Sequence, residues 1–476
     1  MAGILSYGAY VPRIRLAPAT KNWPYPHERA IANFDEDSIT LAVAAAADCL
    51  RGGQRDGVDA LYLASTSLPY AEKQSASFVA TATDLRANIA TADIAHSLRS
   101  GTLALRMALD GVRAGSFGQA LVVAADTRLG LPGSDIERDG GDAAAAFLLG
   151  DGPAIANVTA FHSVVNDILD VWRGDGERTL RTTPEEHFRY EEGYLHAITT
   201  CVTQLLEKTG LAIGQFDRVV LYAPDSRRFA EAVKRLGLAP GKARELPRGV
   251  GSTGASHALM QLVAALDEAA PGQKILVVNY GDGADALVVE TTEALVAFQQ
   301  GTRRGAAGRT GNAVPIADYY DYLRWRNIGP PTGLNGHRVA PAPHSLYREQ
   351  AETVRMRGMR CRACGMVQWP PQRVCVRCQA KDDSESVRMT DGGAKLFSYS
   401  MDYVANTPDV PLLHGVVDFE VGGRAMMMVT DRDLSAVQIG MPLDLTFRKF
   451  SEADGITTYL WKAAPARQPG LAGAGT

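Results

Sequence analysis

The sequence lacks any run apolar enough to cross a membrane. Its longest uncharged stretch, Gly249 to Leu266, is broken by Ser252, Thr253, Ser256, His257 and Gln261, so it reads as a loop and a buried helix. Met1-Ala2-Gly3 has neither the basic start nor the apolar core of a secretory signal, so we expect a cytoplasmic protein without a membrane partner. Cysteine is scarce, with 6 in 476 residues, which excludes a small disulfide scaffold. Cys49 and Cys201 stand alone in helical patterns and the rest cluster between residues 361 and 378, the usage of a reducing compartment with one metal site. Aromatic residues are only 7%, yet 46% of the chain is hydrophobic and 21% charged, a globular rather than a disordered composition. A large charge of one sign is also missing: a net charge of −4 does not mark a whole-molecule nucleic-acid binder.

What is present is an α/β pattern that repeats. At roughly 150 residues per domain the length allows about three domains. Strand and helix signals alternate to about residue 295, and each half of that region ends alike. In the first half a nearly apolar helix (GTLALRMALDGVRA from Gly101) precedes the strands QALVVAAD and AAAAFLLG; in the second, GASHALMQLVAALDEA precedes KILVVNY and ADALVVE. Such helices are tolerable only between sheets, which predicts two similar α/β halves with two central helices enclosed by both sheets. Beyond Phe298 the chain turns Arg-, Gly- and Pro-rich, with DYYDYLRWR at Asp318–Arg326 as a helical island. Between Arg303 and Arg377 there are 13 Arg, no Lys and four carboxylates (Asp318, Asp321, Glu349, Glu352), a stretch expected to attract anions. Five short alternating strands after the cysteines predict a small barrel. These readings give a domain at 1–297, a basic linker with a helix at 298–343, a cysteine ribbon at 344–385, a barrel at 386–463 and a disordered tail at 464–476.

Cys361-x2-Cys364-x10-Cys375-x2-Cys378 supplies two thiolate knuckles, and four sulfurs match the closed tetrahedral coordination of structural zinc, with iron as the alternative. Four unrelated core cysteines would not produce the paired two-residue gaps. A ribbon, a basic stretch and a barrel would also suit a nucleic-acid binder, but the Arg residues are not interleaved with a row of aromatics, so no nucleic-acid partner is expected.

GILSYGAYVPRIRL, FDEDSITLAV, STSLPYAEK, GDAAAAFLLGDG and VVNYGDGADALVV follow one another in an order that resembles the 3-hydroxy-3-methylglutaryl-CoA synthase branch of the thiolase superfamily. Through YYDYLR, CRACGMVQWPPQRVCVRC and the barrel, residues 318–463 resemble the zinc-ribbon and OB-fold proteins that associate with thiolases and acyl-CoA synthases. The resemblance implies a duplicated thiolase-like αβαβα domain followed by a zinc ribbon and an OB-fold barrel. It also implies an acyl-CoA substrate, with coenzyme A as part of it, and a homodimer or higher oligomer; a separate thiolase subunit is a possible partner.

The family works with a Cys nucleophile, a His and a Glu, and this sequence departs at all three places. Leu98 in Leu98-Arg99-Ser100-Gly101-Thr102 takes the nucleophile's position, Tyr222 in Val220-Leu221-Tyr222-Ala223-Pro224 that of the His, and Thr66 that of the Glu. A Leu forms no acyl-enzyme, and the Gly101-Thr102 anchor argues against moving the nucleophile to Ser97. Tyr222 is a candidate general acid or base, or else a ring filling the place of the His. Thr66 with Tyr70 is a candidate to bond a substrate oxygen. His96 and His257 are candidates to polarise a carbonyl, and Asn279 with the Gly281-Asp282-Gly283 turn to contact a thioester oxygen. Arg227, Arg228, Lys234 and Arg235 on one helix, and Arg303 and Arg304 in the basic stretch, are candidates for the CoA phosphates. Two functional classes remain. One is an enzyme that makes or breaks a C–C bond beside a CoA thioester without a covalent intermediate, as thiolase-fold aldolases lacking the Cys do. The other is a catalytically silent scaffold bringing its ribbon and barrel to an active partner thiolase.

Overall fold

Most inner strands of the first 295 residues are apolar on both faces, and the fold buries both. The computed structural model describes residues 2–53, 55–301, 311, 313–328 and 342–467. Nine strands, β1 (Ala2–Tyr10), β2 (Ala60–Ser65), β3 (Ala90–Ala95), β4 (Gln119–Asp126), β5 (Ala143–Asp151), β6 (Ala156–Val165), β7 (Arg218–Leu221), β8 (Lys274–Tyr280) and β9 (Gly283–Thr291), form one sheet in the order β7-β8-β9-β6-β1-β5-β4-β2-β3. The two expected halves meet where β1 pairs with β6 through Ile4 and Ala156. In each half a parallel pair is followed by an antiparallel return strand, β2 and β4 with β5 in the first, β7 and β8 with β9 in the second.

Helices α1 (Ser38–Cys49), α2 (Ser100–Arg113), α3 (His196–Thr209), α4 (Ser226–Arg235) and α5 (His257–Glu268) complete the layers. Along β4, Ala120, Val122 and Ala124 face α2 and α5, while Leu121, Val123 and Ala125 face α1. Along β8, Ile275 and Val277 face the central layer and Leu276 and Val278 face α3. Burial on both faces is why these strands read as continuous hydrophobic runs. The central helices touch at Gly101: a Cβ there would lie 2.5 Å from the Ala255 carbonyl, so only glycine permits the crossing. Cys49 and Cys201 are buried on the outer helices, and burial pushes the Cys201 thiol up to about 12, which leaves it inert as a nucleophile.

Strands Arg357–Cys361, Val367–Gln368 and Ser384–Arg388 make the ribbon. A closed barrel follows, with β10 (Ala394–Asp402), β11 (Leu412–Phe419), β12 (Arg424–Val429), β13 (Pro442–Ala453) and β14 (Ile456–Pro465) in the order β10-β11-β12-β14-β13. Two expectations change. Ordered chain continues past 464, because β14 runs to Pro465 and Arg467 donates to the Val11 carbonyl at 2.7 Å. Several described arginines of the basic stretch are paired within the protein, and Arg388 beyond it joins them. Arg355 (3.2 Å), Arg357 (2.6 Å) and Arg388 (2.7 Å) converge on Asp84, Arg326 faces Asp142, and Tyr322 of the helical island packs against Leu16, Trp23 and Ile31.

The barrel is joined to the thiolase-like region through a buried ionic network. Arg448 contacts Asp35 (3.1 Å), Glu36 (2.9 Å) and Asp431 (2.5 Å), and Lys462 contacts Asp35 (2.9 Å). Asp35 and Glu36 come from the Asp-Glu-Asp-Ser run; Asp37 alone caps α1, in a reciprocal pair with Thr40. Burial by itself would raise the Asp35 carboxyl, but Lys462 and Arg448 outweigh it and hold it at about 2. The folded-state value is thus depressed, so this stabilisation is complete above about pH 4 and is lost as the pH falls towards 2. Arg448→Met should leave Glu36 and Asp431 without their ion pair and destabilise the chain by about 3–5 kcal/mol in denaturant titrations at pH 7. A loss below 1 kcal/mol would show that the network does not hold the barrel in place.

Candidate active site

The carboxyl ends of β4 and β7 and the amino ends of α2 and α5 converge on two adjoining cavities. The outer, of about 840 Å³, is walled by α4, by the 245–252 loop and by residues 26–29. The inner, of about 70 Å³, is lined by Leu98, Arg128, Asp170, Arg189, Tyr190, Tyr194, Tyr222 and Tyr280. Asp135, Asp139, Tyr190, Pro224, Asp225 and Ser252 belong to both walls, so the two cavities adjoin, with Leu98 on the inner one.

Tyr222 and His257 stand together with their rings edge to face at 5.2 Å. Burial raises the Tyr222 phenol, opposed in part by Arg128, so this group can give a proton at neutral pH but cannot take one. Burial lowers His257 to about 3, which keeps it neutral. Its Nδ1 accepts from the Thr253 amide at 3.2 Å, which assigns the proton to Nε2 and makes that nitrogen a donor. Asp170 is the carboxylate of the inner wall whose basicity is raised, by burial and against the pull of the Tyr280 hydroxyl (2.9 Å) and of Arg189.

Other expected site residues are occupied elsewhere. Thr66 donates to Asp126 from its amide (2.7 Å) and its hydroxyl (3.0 Å), and Asp126 also receives Ser67 (2.8 Å) and the Ala255 amide (2.7 Å). This carboxylate stitches the β2 loop to the start of α5, and Thr66 lines neither cavity. Tyr70 accepts from the Thr457 amide of the barrel at 3.0 Å. Asn279 donates to the Leu98 carbonyl and to Thr102, both at 3.3 Å, and the Gly281 amide donates to the Gly283 carbonyl at 3.0 Å. His96 is exposed, with a left-handed φ of 72°, away from both cavities. Of the basic candidates on α4, Arg227 and Arg228 reach the outer cavity and Lys234 and Arg235 do not. Arg228 is tied to Glu186 and Glu231 and lies 3.7 Å over the Tyr190 ring. Arg303 and Arg304 fall outside the described residues.

In the ribbon the four Sγ atoms of Cys361, Cys364, Cys375 and Cys378 all lie within 4.8 Å of one another. Cys361 and Cys378 are 3.6 Å apart, as are Cys364 and Cys375. A zinc–sulfur bond of about 2.3 Å puts tetrahedral ligands roughly 3.8 Å apart, so the donor set fits such an ion. The amides of Cys378 and Arg377 bond the Cys375 sulfur and bring its thiol down to about 6, favouring the thiolate.

Comparison with known proteins accounts for both parts. Residues 349–384 match the family model described as ChsH2, rubredoxin-like zinc ribbon domain, and residues 387–448 match ChsH2, C-terminal OB-fold domain. The chain is 31% identical over 315 residues to the hydroxymethylglutaryl-CoA synthase of Archaeoglobus fulgidus, spanning 62% of this chain and 90% of that one. To the hydroxymethylglutaryl-CoA synthase of Aeropyrum pernix it is 33% identical over 314 residues, spanning 62% and 86%. The chain belongs to the hydroxymethylglutaryl-CoA synthase family. A solved HMG-CoA synthase complexed with CoA shares the fold with a TM-score of 0.58 at 18% identity, over 66% of this chain and 88% of that one.

In this member of the hydroxymethylglutaryl-CoA synthase family, Leu98 lines the inner cavity. Arg128, Asp170, Arg189 and the rim residue Arg248 belong to no motif of the sequence. Arg128, Asp170 and Arg248 come from loops and Arg189 from the start of a helical segment, placed together only by the folded chain, so spacing gave no signal for them.

Proposed function

We propose that this chain processes acyl-CoA thioesters by an aldol or retro-aldol step, making or breaking a C–C bond beside the thioester carbonyl without covalent capture. What carries the reading is the pair of adjoining cavities, the inner one lined by Leu98, Tyr222 and the raised Asp170. CoA would lie in the outer cavity, of a volume usual for cofactor sites, with Arg227 and Arg248 at its exposed rim for the phosphates. In the cleavage direction Asp170 takes the proton of a 3-hydroxyl. The C2–C3 electrons pass into the thioester enolate, the His257 Nε2–H bonds its oxygen, and the Tyr222 phenol protonates C2. The carbonyl fragment leaves, and the proton on Asp170 restores Tyr222. The four cysteines hold a structural zinc, whose closed coordination keeps it out of this chemistry.

The scaffold reading has its own support, since Thr66, Asn279 and the Gly281 amide make structural bonds. Against it, the barrel is locked onto its own thiolase-like region by Arg448 and Lys462. Assaying the purified chain against a panel of 3-hydroxyacyl- and 3-oxoacyl-CoA esters, with and without co-purifying proteins, separates the two. We expect turnover by the chain alone and, after incubation with acetyl-CoA, no acetyl adduct by intact mass. Turnover that appears only with a second protein would replace the enzyme by the scaffold, and an adduct would overturn the place given to Leu98.

A further inference from the structure

A third cavity, of about 600 Å³, lies where α1, the turn from ribbon to barrel and the barrel strands β13 and β14 meet. It shares no lining residue with the outer and inner cavities. Junctions between domains commonly hold small molecules, and the volume falls within the roughly 300–1,000 Å³ of such sites. Its carboxylates are already engaged. Asp48 accepts the Ala9 amide (3.1 Å), Glu420 the Gly393 amide (2.8 Å) and Asp444 the Arg467 amide (3.0 Å), and Asp431 holds Arg448 (2.5 Å). The remaining one, Asp391, is shared by Arg55 and Arg388 at 3.0 Å each; Arg388 in turn shares Asp84 with Arg355 and Arg357, so four guanidiniums meet two carboxylates.

Two arginines of the lining keep hydrogen-bonding capacity. Arg13 is 5% exposed; its Nη2 donates to the Pro465 carbonyl, and among the described residues it makes no other hydrogen bond and no ion pair. Arg55 reaches Asp391 through Nη1 at 3.0 Å, while its Nε is buried without a partner. The neighbouring carboxylates do not offset this burial. Burial lowers the Arg13 guanidinium in spite of Asp431, and burial together with Arg388 lowers that of Arg55 in spite of Asp391. Such cations are unfavourable until an anion meets them. Their anchors are also apart: β13 runs between them, pairing Leu443 with Ala394, just after Asp391, on one side and with Pro465 on the other, and two strand spacings make roughly 10 Å.

We propose that this junction cavity is an effector site for a small organic bisphosphate, one phosphate held by Arg55 beside Arg388 and the other by Arg13. Phosphate suits these places better than carboxylate, because each group brings three acceptor oxygens and nearly two negative charges to the guanidinium forks. Arg13 and Arg55 belong to the thiolase-like region and Arg388 to the turn that leads into the barrel, so the ligand would fasten one onto the other.

Titration calorimetry of the full chain with fructose 1,6-bisphosphate and fructose 6-phosphate tests the assignment. The two probes share a body and differ by one phosphate. The bisphosphate is expected to bind about tenfold or more tighter. It should also raise the Tm, as a ligand of the folded state does. Arg55→Gln and Arg13→Gln should each abolish the preference; if the more buried Arg13→Gln does not fold, Arg55→Gln gives the reading alone. Arg227→Gln, at the rim of the outer cavity, should leave it unchanged. Equal binding of the two probes, or none, by the wild type overturns the proposal. So does a preference that survives in Arg55→Gln, or one lost in Arg227→Gln, which would put the phosphates in the outer cavity.

Discussion

Cys375→Ser should release the metal and unfold the ribbon while the thiolase-like region keeps its own transition. The ribbon has little else to hold it. Its three strands run two to five residues, and Met359 and Val367 are among its few buried apolar side chains. Zinc held by four thiolates contributes about 10–16 kcal/mol in comparable peptides, far more than such a core can. Wild-type protein should carry about one zinc per chain, and Cys364→Ser or a strong chelator should reproduce the loss. Hydrogen exchange resolves the regions: amides of Arg357–Cys361 should lose protection while those of β4 and β8 retain it. The ribbon's anchorage on Asp84 through Arg355, Arg357 and Arg388 should fail at the same time. A metal-free protein with a protected ribbon would remove zinc from the account.

Tyr222→Phe should lower turnover by roughly 10²–10⁴-fold and leave CoA-ester binding nearly unchanged. The substitution keeps the ring against His257 and Tyr280 and removes only the hydroxyl. Because burial raises the phenol, the missing group is a proton donor, and the loss should fall on kcat rather than on KM. The pH profile gives an independent reading. His257, held at about 3, should contribute no titration near pH 6.5, whereas the raised Asp170 should set the acid limb above the usual carboxylate range. A partner-dependent activity indifferent to Tyr222→Phe would support the scaffold instead.

The architecture was legible because it rests on short-range pattern. Apolar runs such as QALVVAAD and KILVVNY announce strands buried on both faces, and the doubling of helix, strand and return strand announces the two halves. The cysteine centre was legible for a similar reason, since two-residue gaps make each knuckle nearly local. The cavity was only partly so. Leu98, Tyr222 and His257 line it as the motif register placed them, yet Thr66, Tyr70 and Asn279 carry equally suggestive motifs and make structural bonds. A hydroxyl or amide near a site can bond inward to the protein or outward to a ligand, and its sequence neighbours do not say which.

By itself the sequence determined the α/β duplication, the ribbon and the barrel, all of which follow from residue type and local periodicity. Charge was decided by the tertiary structure alone. Arg355 and Arg357 of the expected anion-attracting stretch meet Asp84 and Arg326 meets Asp142 in the neighbouring domain, and Asp35 and Glu36 meet Arg448 and Lys462 of the barrel more than 400 positions away. Whether a charge is neutralised depends on what lies within a few ångströms of it, and for residues so far apart along the chain that distance is fixed only when the domains pack.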